Sequence, residues 1–322
     1  MVPDAALVER FSRDLDALIP PGARVGIGVS GGSDSLALLL LGAAARPKKI
    51  EAATVDHALR EVSRDEAAAV AAICRRLKIP HEILTAEWLE KPKSAIQQRA
   101  RLERYRLLAS WAEMRGLDAV LTAHHLDDQA ETLLMRLVRG AGVRGLAGMR
   151  PAATVPGSDI PLLRPLLSWR RSELAGICAA AGIDPARDPS NEDERFERVR
   201  VRRALGQSGW LDPQALAASA SHLGDAESAL EWATRQEWGN AVSNGGAEIT
   251  YSPVDAPAEI RRRVVQGAVA RLANEGAAAE LRGGELDRLL AVLAAGGQAT
   301  IRGVRCAGGT EWRFTRAPPR RA

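Results

Sequence analysis

Apolar positions along the first two hundred residues follow two alternating patterns. Residues 3–20 place Leu7, Phe11, Leu15 and Leu18 at helical spacing, and Pro20-Pro21-Gly22 stops that helix. Residues 24–29 (RVGIGV) form a short apolar run of strand length. SGGSDS follows at 30–35, then a strongly apolar helix over 36–45 (LALLLLGAAA). Strands are expected over 49–55, 81–84 and 118–123. Helices are expected over 64–77, 95–115 (stopped by Gly116) and 126–139. Strands alternating with helices predict an α/β fold. Its sheet is doubly wound, mostly parallel and covered on both faces, over about residues 24–185.

Residues 140–170 are rich in Gly and Pro and are expected to be loop. Residues 184–203 are dense in charge and read as a connecting segment that runs into a helix. Beyond Asp212 the pattern is helical over 213–240, 257–274 and 284–295, with a turn at Asn244-Gly245-Gly246. The expected division is therefore an α/β domain over 1–205, a small helical domain over 206–296, and a tail or short hairpin over 297–322.

Composition narrows the classes. The 322 residues carry 44 Lys+Arg against 40 Asp+Glu, a net charge of +4. All of the excess falls in residues 1–205, which hold 31 basic and 27 acidic residues; residues 206–322 hold 13 of each. Thirty-nine of the bases are Arg, whose planar fork suits phosphate. This balance permits a nucleic-acid partner without requiring one. The longest apolar run has ten residues, from Leu36 to Ala45, against the roughly 18 that a membrane span needs. The first residues are acidic where a signal peptide would be apolar. No membrane association and a cytoplasmic location are expected. Cys74, Cys178 and Cys306 lie far apart with no C-x-x-C, against a disulfide framework or a Cys-rich metal site.

The chemistry concentrates at 30–35. Gly26, Gly28 and Gly31 match G-x-G-x-x-G, but the first two fall inside the expected strand rather than in a turn. A Walker A loop would need Lys after Gly32, which Ser33 occupies. The whole string Ser30-Gly31-Gly32-Ser33-Asp34-Ser35, between a strand and a helix, fits a phosphate cradle better. Glycines let backbone N–H groups approach the anion, the helix start adds its positive end, and the hydroxyls donate. Asp34 suits Mg²⁺ held between carboxylate and pyrophosphate.

That string resembles the PP-loop of the ATP pyrophosphatases, which cleave ATP between its α and β phosphates. Further stretches resemble one family of that superfamily, the tRNA(Ile)-lysidine synthetases. They are Val55-Asp56-His57-Ala58-Leu59-Arg60, Arg101-Leu102-Glu103-Arg104-Tyr105, His124-His125-Leu126-Asp127-Asp128 with Glu131-Thr132, Arg139-Gly140-Ala141-Gly142, Arg164-Pro165-Leu166-Leu167 and Asp188-Pro189-Ser190-Asn191. The match runs in consistent order over about 24–205. It departs at Val199, where the family usually carries Asn between Arg198 and Arg202.

The resemblance implies a Rossmann-like PP-loop fold and an ATP-dependent ligase that joins L-lysine to the wobble cytidine of a CAU-anticodon tRNA(Ile), with residues 206–296 gauging tRNA shape. It implies ATP binding by Ser30, Gly31, Gly32, Ser33, Asp34, Ser35, Asp56, His57, His124 and His125. The expected catalytic residues are Asp34, Asp128, Glu131 and Asp56, with Mg²⁺ on Asp34 and Asp128 as the proton acceptor. Asp128 and Glu131, three apart, share a helix face. Arg139, Arg195, Arg198 and Arg202 are the expected tRNA contacts. Alternatives are a thiolating enzyme of the same superfamily and a nucleotide- or RNA-binding module without turnover.

Overall fold

The computed structural model describes residues 2–58, 62–88, 96–186, 193–253, 255–273, 281 and 283–318. Two stretches of the resemblance, Leu59-Arg60 and Asp188-Pro189-Ser190-Asn191, lie outside the described residues. The chain divides into two compact units, Met1–Gly224 and Asp225–Ala322.

The first unit runs α1 (Ala5–Asp16), β1 (Val25–Gly28), α2 (Ser33–Ala45), β2 (Ile50–Asp56), α3 (Val62–Leu77), β3 (His81–Thr85), α4 (Ile96–Arg115), β4 (Ala119–Leu121), α5 (Leu126–Val138), α6 (Val143–Leu146), β5 (Ala152–Thr154), β6 (Pro161–Leu163), α7 (Arg171–Ala180), α8 (Glu197–Gln207) and the start of α9 (Pro213–Ala241). Its sheet has the order β3-β2-β1-β4-β6-β5, parallel except for the β5 edge. β5 and β6 correct the expectation of plain loop over 140–170. Each has only three residues and is defined by pairing rather than by a local pattern: β6 on β4 through Val120–Leu162 and Leu121–Leu163, and β5 on β6 through Ala152–Leu163 and Thr154–Pro161.

Residues of each strand alternate between the two faces of the sheet. Ala119 and Leu121 join the core built on α1, α2 and α7, while Val120 joins the core under Tyr105, Leu108 and Trp111 of α4. α2 has buried residues all round, from Leu36 to Leu41, which explains its continuous apolar run. β1 lies between β2 and β4, so the chain leaves it in opposite directions on its two sides. That is the switch point at which open α/β sheets form their ligand crevice, outside the carboxyl ends of the strands.

The second unit corrects the expectation of a purely helical domain, and of its tail or short hairpin the hairpin form is present, extended into a sheet. After α9 come β7 (Val242–Asn244), β8 (Glu248–Tyr251), α10 (Ala258–Leu272), α11 (Gly283–Ala294), β9 (Gln298–Ile301), β10 (Val304–Ala307) and β11 (Trp312–Arg316). They form an antiparallel sheet in the order β7-β8-β11-β10-β9. Residues 298–316 supply three of its five strands, with Val304, Cys306, Trp312 and Phe314 buried against α10 and α11. The division also falls later than residue 205, inside α9. α8 packs on α5 of the first unit, and Ala220 in the first part of α9 is buried. Among the described residues no helix is long and apolar enough to cross a membrane.

Candidate functional site

The SGGSDS string takes the expected place between β1 and α2, with Gly32 as the N-cap. Gly31 has φ +86°, a backbone conformation that L side chains rarely adopt, so the backbone there favours glycine. The loop is braced from within by Ser35. Its hydroxyl accepts from the Ser30 N–H at 3.1 Å, donates to the Gly32 carbonyl at 3.0 Å and lies 3.2 Å from Ser30 Oγ. Ser35 is buried and organises the loop, whereas Ser33 is partly exposed and donates to Asp34 Oδ1 at 3.1 Å.

The two histidines after β4 part company. Successive extended residues point to opposite faces of a sheet, and His125 has extended backbone angles (φ −129°, ψ −179°). His125 lies on the loop side, fully buried, with Nε2 3.5 Å from both Asp34 Oδ2 and Asp128 Oδ2. It caps α5. Its N–H donates to Asp128 Oδ2 at 3.1 Å, and Nδ1 accepts from the Asp128 N–H at 3.4 Å. Burial alone would raise the Asp34 pKa, but hydrogen bonding and charge from His125, with Arg171 and Ser33, hold it below the usual carboxylate range.

His124 lies on the other side, among arginines. Its Nδ1 is 2.9 Å from Thr122 Oγ1. Burial pushes its pKa down to about 3 against the opposing charge of Asp128, and Arg164, Arg101 and Arg104 push the same way. Arg101 and Arg104 lie over the Tyr105 ring at 5.1 and 5.3 Å, and burial lowers the pKa of both Arg104 and Arg164. His57 belongs to this cationic side too, its pKa lowered by burial and by Arg104. The buried Asp56 ends β2 and accepts from the Ala58 N–H at 2.8 Å.

His124 therefore stays neutral in the folded protein and binds a proton near pH 6.5 when unfolded. Between those two pKa values the unfolded chain holds the extra proton, so stability falls as pH drops from about 6.5 towards 3. His124→Gln is expected to flatten the dependence of the melting temperature on pH between 4 and 6.5. An unchanged slope would remove His124 from that account.

The remaining candidates are engaged within the protein. Glu131 is only 1% exposed and faces three guanidinium groups. Arg202 Nε is 2.7 Å from its Oε1, Arg171 Nη2 3.4 Å from the same oxygen, and Arg198 Nε 3.5 Å from Oε2. Burial works against the Arg202 charge, but the bond to Glu131 and the nearby Asp128 and Asp34 raise its pKa overall. Arg198 and Arg202 thus pair with Glu131 while their side chains stay 41% and 33% exposed. Arg139 pairs with Glu197, and Arg195 with Asp193 at 2.6 Å; both arginines are exposed. Reading the sequence by motif alone missed two features. One is Arg171, held by Asp127 and Glu131; the other is the clustering of Arg164 with Arg101 and Arg104 around His124. The parity of His124 and His125 after a strand was the available signal for that second, cationic side.

A family model described as a PP-loop domain matches residues 7–208. The tRNA(Ile)-lysidine synthase of Novosphingobium aromaticivorans is 48% identical over 97% of this chain and 94% of its own length. The chain belongs to the tRNA(Ile)-lysidine synthase family. A second synthase, from Zymomonas mobilis, is 43% identical over 94% of this chain and 91% of its own. Among solved structures, a U34-tRNA thiolase from Methanococcus maripaludis with a [4Fe-4S] cluster shares the fold. Its TM-score is 0.55 at 16% identity, covering 70% of this chain and 80% of that one. Membership in the synthase family brings ATP use with the PP-loop. Among the described residues no group of three or more His, Cys, Asp or Glu side chains is arranged to hold a metal by itself.

Proposed function

We propose that this chain joins L-lysine to C2 of the wobble cytidine of a CAU-anticodon tRNA(Ile), converting ATP to AMP and pyrophosphate. The observation that carries the reading is a pair of unlike side-chain groups beyond the carboxyl ends of β1 and β4. The SGGSDS loop, Asp34 and His125 form one, and His124 among Arg101, Arg104 and Arg164 the other. The first group suits the triphosphate. The second suits the anionic backbone around a single-stranded, splayed-out base, which RNA enzymes need exposed before chemistry.

Two steps follow. The C2 carbonyl oxygen attacks the α-phosphate and pyrophosphate leaves, turning a poor leaving group into an adenylate. The lysine ε-amine then forms the C2–N bond as the C2–O bond to AMP breaks. Backbone N–H groups of the loop and the start of α2 stabilise the charge that builds on the phosphates. A free lysine amine has a pKa of about 10.4, so its proton must go to an acceptor, and we assign that role to Asp128, supported by the His125 Nε2 that lies 3.5 Å from both Asp128 Oδ2 and Asp34 Oδ2.

Mg²⁺ fits the site through Asp34. Its carboxylate is a hard oxygen donor, partly exposed at the loop and held ionised, and Mg²⁺ commonly takes one or two carboxylates with the substrate's phosphates. Bound there, it would neutralise phosphate charge. Arg139 and Arg195 are exposed enough to exchange their carboxylate partners for tRNA phosphates. Transfer of sulfur is disfavoured by the thiols. Cys74, Cys178 and Cys306 are all buried, and burial pushes their pKa values up to about 12, 11 and 12.

The deciding experiment measures pyrophosphate release with ATP, lysine and tRNA(Ile) transcripts. Release is expected only with a transcript bearing the CAU anticodon, and labelled lysine should become tRNA-bound. Release without lysine incorporation, or incorporation of sulfur instead, would overturn the reading.

A further inference from the structure

α7 packs beside α2, the helix that follows the phosphate loop, and begins with Arg171. Cys178 Sγ donates to the Ser33 carbonyl at 3.2 Å, tying α7 to the first turn of α2. The Arg171 N–H donates to Asp127 Oδ2 at 2.8 Å, which fixes its backbone against α5. Its side chain, 30% exposed, rests on Glu131 through one long contact of 3.4 Å. Arg202 holds the same carboxylate oxygen at 2.7 Å. Glu131 therefore keeps its main partner if Arg171 swings away. Asp127 Oδ2 also lies 3.7 Å from His125 Nδ1, and His125 Nε2 lies 3.5 Å from Asp34 Oδ2, so a short chain of contacts joins the start of α7 to the loop, and the Arg171 charge acts on Asp34 across it.

We propose that Arg171 binds the β and γ phosphates of ATP, as an anchor outside the SGGSDS loop. This rests on the reading of that loop as the ATP phosphate site. The loop offers N–H groups and a helix end, while Asp34 adds a negative charge. A triphosphate brings several more, and charge builds on the pyrophosphate as it leaves. A guanidinium fixed at its backbone and held at its tip by a single long contact supplies a bidentate counter-charge there when it moves onto the phosphates.

The test compares ATP with AMP, which lacks the β and γ phosphates. Equilibrium binding of each is measured on the full chain, as wild type, Arg171→Met and Arg171→Lys. Melting temperature is followed in parallel. Arg171→Met is expected to weaken ATP about tenfold or more, the scale of one charge-assisted hydrogen bond, and to leave AMP affinity unchanged. Arg171→Lys should recover part of the loss, because the charge returns without the fork. Equal weakening of ATP and AMP would make Arg171 a brace for α7 and overturn the proposal, as would unchanged ATP affinity. A wild-type chain that binds AMP and ATP equally would overturn the loop reading together with it.

Discussion

Asp128→Asn is expected to slow lysidine formation by about 10²- to 10⁴-fold, the range for loss of a general base, while ATP and tRNA still bind. The substitution keeps the shape of the side chain. It also keeps the cap on α5, because an amide oxygen can accept the His125 N–H that Asp128 Oδ2 accepts at 3.1 Å. What disappears is the proton acceptor. Adenylation of the base does not require it, so single-turnover reactions with labelled ATP should still accumulate adenylated tRNA. Reactions with labelled lysine should stall. Raising the pH by one unit supplies about ten times more neutral lysine amine below its pKa of about 10.4, so the variant should recover with pH more steeply than the wild type. Loss of both steps, with no recovery at high pH, would place Asp128 on the metal or in the fold instead.

The same helix shows what a sequence can and cannot reveal about such a site. The phosphate loop was legible because strand, glycines and helix are contiguous, so local chemistry and local geometry coincide. Placing Asp128 and Glu131 on one face of α5 followed from their spacing, yet their surroundings differ. Asp128 meets His125, three residues away, whereas Glu131 meets Arg198 and Arg202 from a helix some seventy residues on. No spacing rule reaches that far. β5 and β6 escaped notice because three-residue strands carry no period and exist by pairing. The second-unit sheet was more readable than the expectation of a helical domain allowed. Val304, Cys306, Trp312 and Phe314 alternate with exposed neighbours, and Asn244-Gly245-Gly246 joins two strands. There the helical segments outweighed a period-two signal that was present.

Glu131→Gln is expected to destabilise the first unit by about 2–3 kcal/mol. Removing one partner of a buried ion pair typically costs about 3–5 kcal/mol, because the remaining charge is stranded. Here the carboxylate is sealed but its arginines are not. Arg171, Arg198 and Arg202 have side chains 30%, 41% and 33% exposed, so water takes up part of the loss and the cost falls below that range. Glutamine preserves volume but offers one acceptor oxygen where two served, and turns an N–H₂ donor towards guanidinium donors. For a unit of this size the change corresponds to a fall of roughly 4–12 °C in melting temperature, readable by circular dichroism. A shift below about 1 °C would mean that the cluster is an incidental surface pairing. The double variant with Arg202→Met should cost less than the sum of the two single changes. A cation with no carboxylate to meet is a liability, and removing it relieves part of what Glu131→Gln imposes. The coupling expected for groups in one network is about 0.5–3 kcal/mol, and strict additivity would show that Glu131 and Arg202 act independently.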